Sequence, residues 1–153
     1  MKQRIALVVL AASALALMAA VPANAAPSHL CETAVNNTLC VGAPNLAVDS
    51  PVLETASGRD LVLFPEGNNQ FEIKLVADQS ECVAGANNQT DVVLHHCNGG
   101  LGTFWIKHGE ITNFKYESRR FPGKYLAGRG TQGTQYQLKS DPTPGWNLAF
   151  SIS

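Results

Sequence analysis

Histidine, cysteine and carboxylate side chains are where chemistry would start, and the sequence holds few of them in useful spacing. The histidines are His29, His95, His96 and His108, and the acids that a paired site would draw on are Asp91, Glu110 and Asp141. Hydrolytic or acid–base catalysis needs a nucleophile, a base or a metal in matched geometry. No Gly-x-Ser-x-Gly elbow, His-Glu-x-x-His run or phosphate-cradling glycine loop is present. His95-His96-Cys97 is the densest group of metal-ligating types. Neighbours on a regular strand point to opposite faces, however, so the two imidazoles do not converge on one ion. The expectation is a chain that is not an enzyme, with no catalytic residue, no metal and no cofactor.

Binding chemistry is better represented. Trp105 stands between Phe104 and Ile106; with those two facing a core, the indole faces outward, where it can stack on a sugar or a partner. Trp146, in Pro144-Gly145-Trp146-Asn147, is a second candidate platform. Tyr116, Arg119 and Arg120 lie in a stretch from Asn113 to Pro122 that interleaves aromatic and basic residues, as a contact loop does. Asn36-Asn37-Thr38 and Asn88-Gln89-Thr90 match the glycosylation sequon.

The compartment comes from the N-terminus. Met1-Lys2-Gln3-Arg4 is followed by an uncharged apolar run from Ile5 to about Ala20 and then by Ala23-Asn24-Ala25, the order of a secretory signal peptide with its A-x-A cleavage site. Residues 1–25 are therefore expected to be removed, leaving 26–153 as one secreted, extracellular domain. Their loss takes Lys2 and Arg4 and no acid from eleven basic and twelve acidic residues, so the remainder carries a formal −3. An acidic surface lacks the field that attracts nucleic acid or anionic membranes, and neither is expected as a partner. Four cysteines in an exported chain favour two disulfides. Of the three connectivities, the local one, Cys31 with Cys40 and Cys82 with Cys97, is preferred.

The elements that must position these residues are short strands. Leu61-Val62-Leu63-Phe64, Phe71 to Val76, Val92-Val93-Leu94, Phe104-Trp105-Ile106 and Tyr136-Gln137-Leu138 are separated by clusters such as Pro65-Glu66-Gly67-Asn68-Asn69 and Asp141-Pro142-Thr143-Pro144-Gly145. Strands of this length with turn chemistry between them describe an all-β barrel or sandwich. The pattern also repeats: Pro51 to Leu63 lies without a gap on Cys82 to Leu94, and Tyr125 to Leu138 follows with one extra residue. Each copy is followed by Phe-x-Ile, at Phe71-Glu72-Ile73, Phe104-Trp105-Ile106 and Phe150-Ser151-Ile152. Two apolar residues one apart share a strand face, so each pair is expected in a common core. The repeats span roughly 44–79, 80–121 and 122–153.

The second copy, Cys82-Val83-Ala84 through Val92 to Gly100 and on to Gly102-Thr103-Phe104-Trp105-Ile106, resembles one repeat of the ricin-type β-trefoil lectins. That family opens each repeat with Cys-Leu-Asp, bonds the Cys to a second one about 15 residues on, and continues into Gln-x-Trp; Asn69-Gln70-Phe71 is a loose relative of the last motif. The resemblance implies a barrel of three repeats, with a two-sheet sandwich as the alternative, and a monomeric module binding an extracellular carbohydrate or protein. The sugar-holding Asp is replaced by Leu53, Ala84 and Ala127 in the three copies, which removes a charge-assisted acceptor for hydroxyls. A trefoil needs four strands per repeat and the third copy is one short, so Leu39-Cys40-Val41 is expected beside the Phe150 strand. The alternative function is a protease inhibitor on the same scaffold, offering Tyr116 to Phe121 as a projecting loop with Arg119 and Arg120 suited to a trypsin-like pocket.

Overall fold

The computed structural model describes residues 28–33, 39–56, 58, 61–98, 100–110 and 113–152. The signal-peptide reading and the sequon at Asn36 lie outside them. Twelve strands and no helix occur among the described residues: β1 (Leu30–Glu32), β2 (Cys40–Gly42), β3 (Leu53–Thr55), β4 (Leu61–Gly67), β5 (Gln70–Leu75), β6 (Glu81–Gly85), β7 (Val92–His96), β8 (Phe104–Glu110), β9 (Asn113–Ser118), β10 (Tyr125–Ala127), β11 (Gln137–Lys139) and β12 (Phe150–Ile152). Hydrogen bonding links them into one sheet with an unclosed path from β3 through β2, β1, β12, β9, β8, β5 and β6 to β7, so the all-β expectation holds and the two separate sheets of a sandwich do not form.

Threefold character is written in the backbone. The Val52 N–H donates to Val92 O (3.1 Å), the Val92 N–H to Tyr136 O (3.1 Å) and the Tyr136 N–H back to Val52 O (2.9 Å), a closed ring of three bonds. A second ring surrounds it: Leu94 N–H to Ser50 O (2.9 Å), Leu138 N–H to Thr90 O (2.7 Å) and Glu54 N–H to Thr134 O (2.8 Å). Each ring takes one donor and one acceptor from three segments far apart in sequence, so Val52, Val92 and Tyr136 occupy equivalent places. All three are fully buried. Backbone groups with no access to water must find protein partners, and here each repeat satisfies the next.

This equivalence corrects the sequence alignment of the first copy. β3 corresponds to β7 and β11, and its partner β2 to β6 and β10. The first copy therefore begins at Cys40, not at Pro51, and the residue matching Ala84 and Ala127 is Gly42 rather than Leu53. An added Cβ at Gly42 would come within 2.3 Å of Thr55 Oγ1, so the first copy has no room for any side chain there.

The twelfth strand also comes from a different place than expected. Leu30–Glu32 lies antiparallel beside Phe150–Ile152, and Leu39-Cys40-Val41 is one strand further away, paired to β1 through Cys31 opposite Cys40. The N-terminal hairpin does complete the third repeat, but through its first strand. Both disulfides form as preferred, Cys31–Cys40 and Cys82–Cys97.

The core gathers Val41, Leu61, Ile73, Leu75, Val83, Leu94, Trp105, Tyr116, Leu126, Tyr136, Leu138 and Phe150. Burying each such side chain is worth about 1.5–3 kcal/mol. The Phe-x-Ile pairs do not enter it as pairs: Phe104 and Ile106 are half-buried, Phe71 is half-buried beside a buried Ile73, and Ile152 is 40% exposed beside a buried Phe150. Apolar residues stand on both faces of these strands, and alternation alone does not say which face turns inward.

Candidate functional site

A groove of about 670 Å³ opens over the β6–β7 hairpin. One wall is the hairpin itself, where Ala84 pairs with Val93 and the Ala86 N–H closes the turn on Asp91 O (2.8 Å). The turn is built by Asn88: its Oδ1 accepts from the Thr90 and Asp91 N–H groups (3.0 and 2.9 Å), and its Nδ2 donates to Asp91 Oδ2 (2.8 Å). Short amide side chains favour such turns because they mimic backbone acceptors. The opposite wall is Asn98 and Gly100 to Thr103, held to the hairpin by the Gly85 N–H on Gly102 O (3.2 Å) and shaped by Asn98 Oδ1 accepting from the Gly100 N–H (3.1 Å). Arg120 reaches in from the β9–β10 turn, and His95 and Leu101 complete the lining.

The floor is the site of the missing acid. Ala84 stands where the lectin pattern carries Asp, and the nearby carboxylates that line the groove are Asp91 and Asp49. Asp91 places one oxygen on Asn88, and its second oxygen is outside that bond. His95 Nδ1 lies 3.3 Å from His96 O, a contact that an Nδ1–H satisfies and that leaves Nε2 as an acceptor. Leu101 is 56% exposed, an apolar patch beside these polar groups. Carboxylate, amide, imidazole and guanidinium around a small apolar surface suit a ligand rich in hydroxyls with one apolar face.

The residues singled out in the sequence divide sharply. Arg120 lines the groove. Trp105 does not face solvent: it is fully buried, and its indole N–H donates to Val83 O (2.8 Å) behind the groove. Trp105 of β8 turns inward with Thr103, which precedes the strand, since a buried indole that finds an acceptor gives up little and gains the largest apolar area in the core. Tyr116 is likewise buried, on the inward face of β9 with Phe114 and Ser118. Burial pushes its phenol well above the usual tyrosine range. The segment read as a contact loop is thus mostly a strand whose alternate residues turn inward.

Arg119 is exposed, and the turn that carries it is braced by hydrogen bonds. The Arg119 N–H is held by Phe104 O (3.0 Å), the Lys124 N–H by Phe121 O (3.0 Å), the Phe121 N–H by Ser118 Oγ (3.3 Å) and the Gly123 N–H by Glu117 Oε1 (2.6 Å). So braced, it lacks the extended shape of an inhibitor's reactive loop. Trp146 is half-buried on the third repeat, away from the groove. In the His95-His96-Cys97 run, the Cys97 sulfur is bonded to Cys82, and His96 pairs with the buried Glu81 (2.7 Å) while His95 turns to the groove. Asp49, Asn98 and Leu101 carried no signal in the sequence, because they converge only through the hairpin and the threefold rings.

No protein-family model and no curated protein matches the sequence. Solved structures do match in shape. A mosquitocidal holotoxin superposes with a TM-score of 0.70 at 14% identity over 87% of this chain, which spans 17% of the toxin's length. ThreeFoil, a designed threefold-symmetric protein, gives 0.70 at 14% identity over 82% of this chain and 96% of its own. A Polyporus squamosus lectin, solved bound to a human-type influenza-binding epitope, gives 0.65 at 12% identity over 82% of this chain and 47% of its own. Identities this low carry the fold alone, and with the two threefold hydrogen-bond rings they establish that the chain is a β-trefoil.

Proposed function

We propose that the chain is a non-enzymatic, secreted carbohydrate-binding module that holds a glycan in the β6–β7 groove. The observation that carries this reading is the groove's make-up: Asp91, already oriented by Asn88, lines it together with Arg120, Asn98 and the exposed, apolar Leu101. A carboxylate accepts two sugar hydroxyls at once, and Asp91 supplies from the hairpin turn what Ala84 lacks at the strand. The lectin among the structural neighbours and the two disulfides, which suit an oxidising compartment, support the same reading.

The test is a glycan array with the oxidised protein, its Asp91→Asn variant and its Arg120→Ala variant. Saturable binding is expected, weakened roughly tenfold or more by either substitution, since a charge-assisted hydrogen bond is worth about 1.5–3 kcal/mol. Binding to no glycan, or binding that neither variant alters, sinks the groove as a sugar site.

A further inference from the structure

A second constellation lies on the third repeat, and none of its residues lines the groove. Lys139 Nζ sits 4.3 Å from the centroid of the Trp146 ring and Arg129 Cζ 5.4 Å from it. The two charges are therefore within about 10 Å of one another, one Debye length at 0.1 M salt. Among the described residues neither cation has an ion-pair partner, whereas Lys74, Lys115, His96 and His108 each do.

The arrangement is built by the fold. Gly128 and Asn147 exchange backbone hydrogen bonds (2.9 and 2.8 Å), which sets Arg129 beside Trp146. Below them, Glu54 Oε1 accepts from the Arg129 N–H (2.5 Å) and Glu32 Oε2 from Asn147 Nδ2 (3.3 Å). Gly128 is required, because an added Cβ would fall 2.0 Å from Glu32 Oε1. Lys139 arrives from β11, opposite Tyr125. Three separate segments thus present one half-buried indole and two cations that, among the described residues, have no ion-paired carboxylate.

Two like charges at this spacing repel, and the ring's attraction for each offsets that only in part. One anion bridging both relieves it. We propose that Trp146, Arg129 and Lys139 form a second ligand site, selective for a saccharide bearing a carboxylate or sulfate. The anion sits between the guanidinium and the ammonium, and the apolar face of the sugar ring lies on the indole. Only two cations are present, on a domain that is acidic overall, so the site matches a single acidic pyranose and not a polyanion such as nucleic acid. The inference shares the carbohydrate reading of the chain but not its groove.

The protein offers its own probe. It has two tryptophans, and because Trp105 lies buried behind the groove, the emission change that the parent shows and Trp146→Phe lacks reports Trp146. Trigalacturonate, galactose 6-sulfate, neutral galactotriose and AMP are titrated in turn. Expected is a saturable response to the two acidic sugars, at least about tenfold tighter than to the neutral one, and weakened as salt approaches about 1 M, where the Debye length is about 3 Å. The Arg129→Gln/Lys139→Gln double variant loses about tenfold or more in affinity, and Asp91→Asn loses none. The two acidic sugars separate carboxylate from sulfate as the preferred group. Equal affinity for acidic and neutral sugars, a response to AMP alone, no response, or an unchanged double variant each overturns the site. Because Asp91→Asn affects only the groove, failure of either site is read apart from failure of the other.

Discussion

Glu32 is a residue whose chemistry the fold alters strongly, and Glu54 lies beside it. Both are buried, at 3% and 0% exposure, and both lie beneath the loop that carries Arg129. Glu54 accepts from the Arg129 and Thr131 N–H groups, while Glu32 faces Tyr136 Oη (3.1 Å), Asn147 Nδ2 and the Glu54 carboxylate. Burial first, and then the Glu54 charge, pushes the Glu32 carboxyl from 4.5 up to about 7. A carboxyl whose folded value exceeds its unfolded one stabilises the fold when protonated. Its contribution is complete below about 4.5, and it declines as pH rises from there through 7. The full swing is on the order of 3 kcal/mol, an upper figure for two and a half units. Glu32→Gln is neutral throughout, so urea unfolding at pH 5 and pH 8 is expected to show a smaller loss on alkalinisation for the variant than for the parent. Identical pH slopes refute the assignment. Nothing in the sequence marked Glu32 or Glu54, since neither sits in a motif and their meeting depends on strands β1 and β3 reaching the third repeat.

At the scale of elements, β8 decides how much of the groove is preformed. Its Trp105 fills the core behind Val83 and ties to that residue's carbonyl, so the hairpin that forms one wall rests on the indole. Trp105→Ala removes a large buried side chain and strands a buried acceptor, and a loss of about 3–5 kcal/mol is expected in denaturant unfolding. At temperatures where the variant remains folded, glycan affinity in the groove falls less than for Asp91→Asn, because Trp105 touches no ligand. A loss of binding larger than that of Asp91→Asn, with stability intact, would return Trp105 to the role of a contact residue. The strands themselves were legible from β-branched and aromatic runs between turn clusters. Which face of β8 and β9 turns inward was not, because Phe104 and Ile106 are as apolar as Trp105. Only the indole N–H and its acceptor across the sheet break the tie.

On the scale of the molecule, the threefold plan was legible in outline and misregistered in detail. Cys82 to Leu94 and Tyr125 to Leu138 do occupy equivalent places, but the first copy was set late, by eleven residues at its start and nine at its second strand, because Leu61-Val62-Leu63 imitates Val92-Val93-Leu94. True equivalence is carried by the Val52–Val92–Tyr136 ring, and two valines and a tyrosine give no sequence signal of kinship. That ring has a consequence for stability. Each of its three amides is held by a carbonyl from another repeat, so no repeat can open without breaking bonds of both others. Hydrogen exchange then occurs by global unfolding, and the three amides are expected to exchange with the same free energy, within about 0.5 kcal/mol, and to be among the most protected in the chain. Amides at Arg119 and Lys124 in the exposed β9–β10 turn exchange through local opening at much lower cost. A spread of several kcal/mol among Val52, Val92 and Tyr136 would mean that the repeats unfold one at a time and that the ring does not couple them.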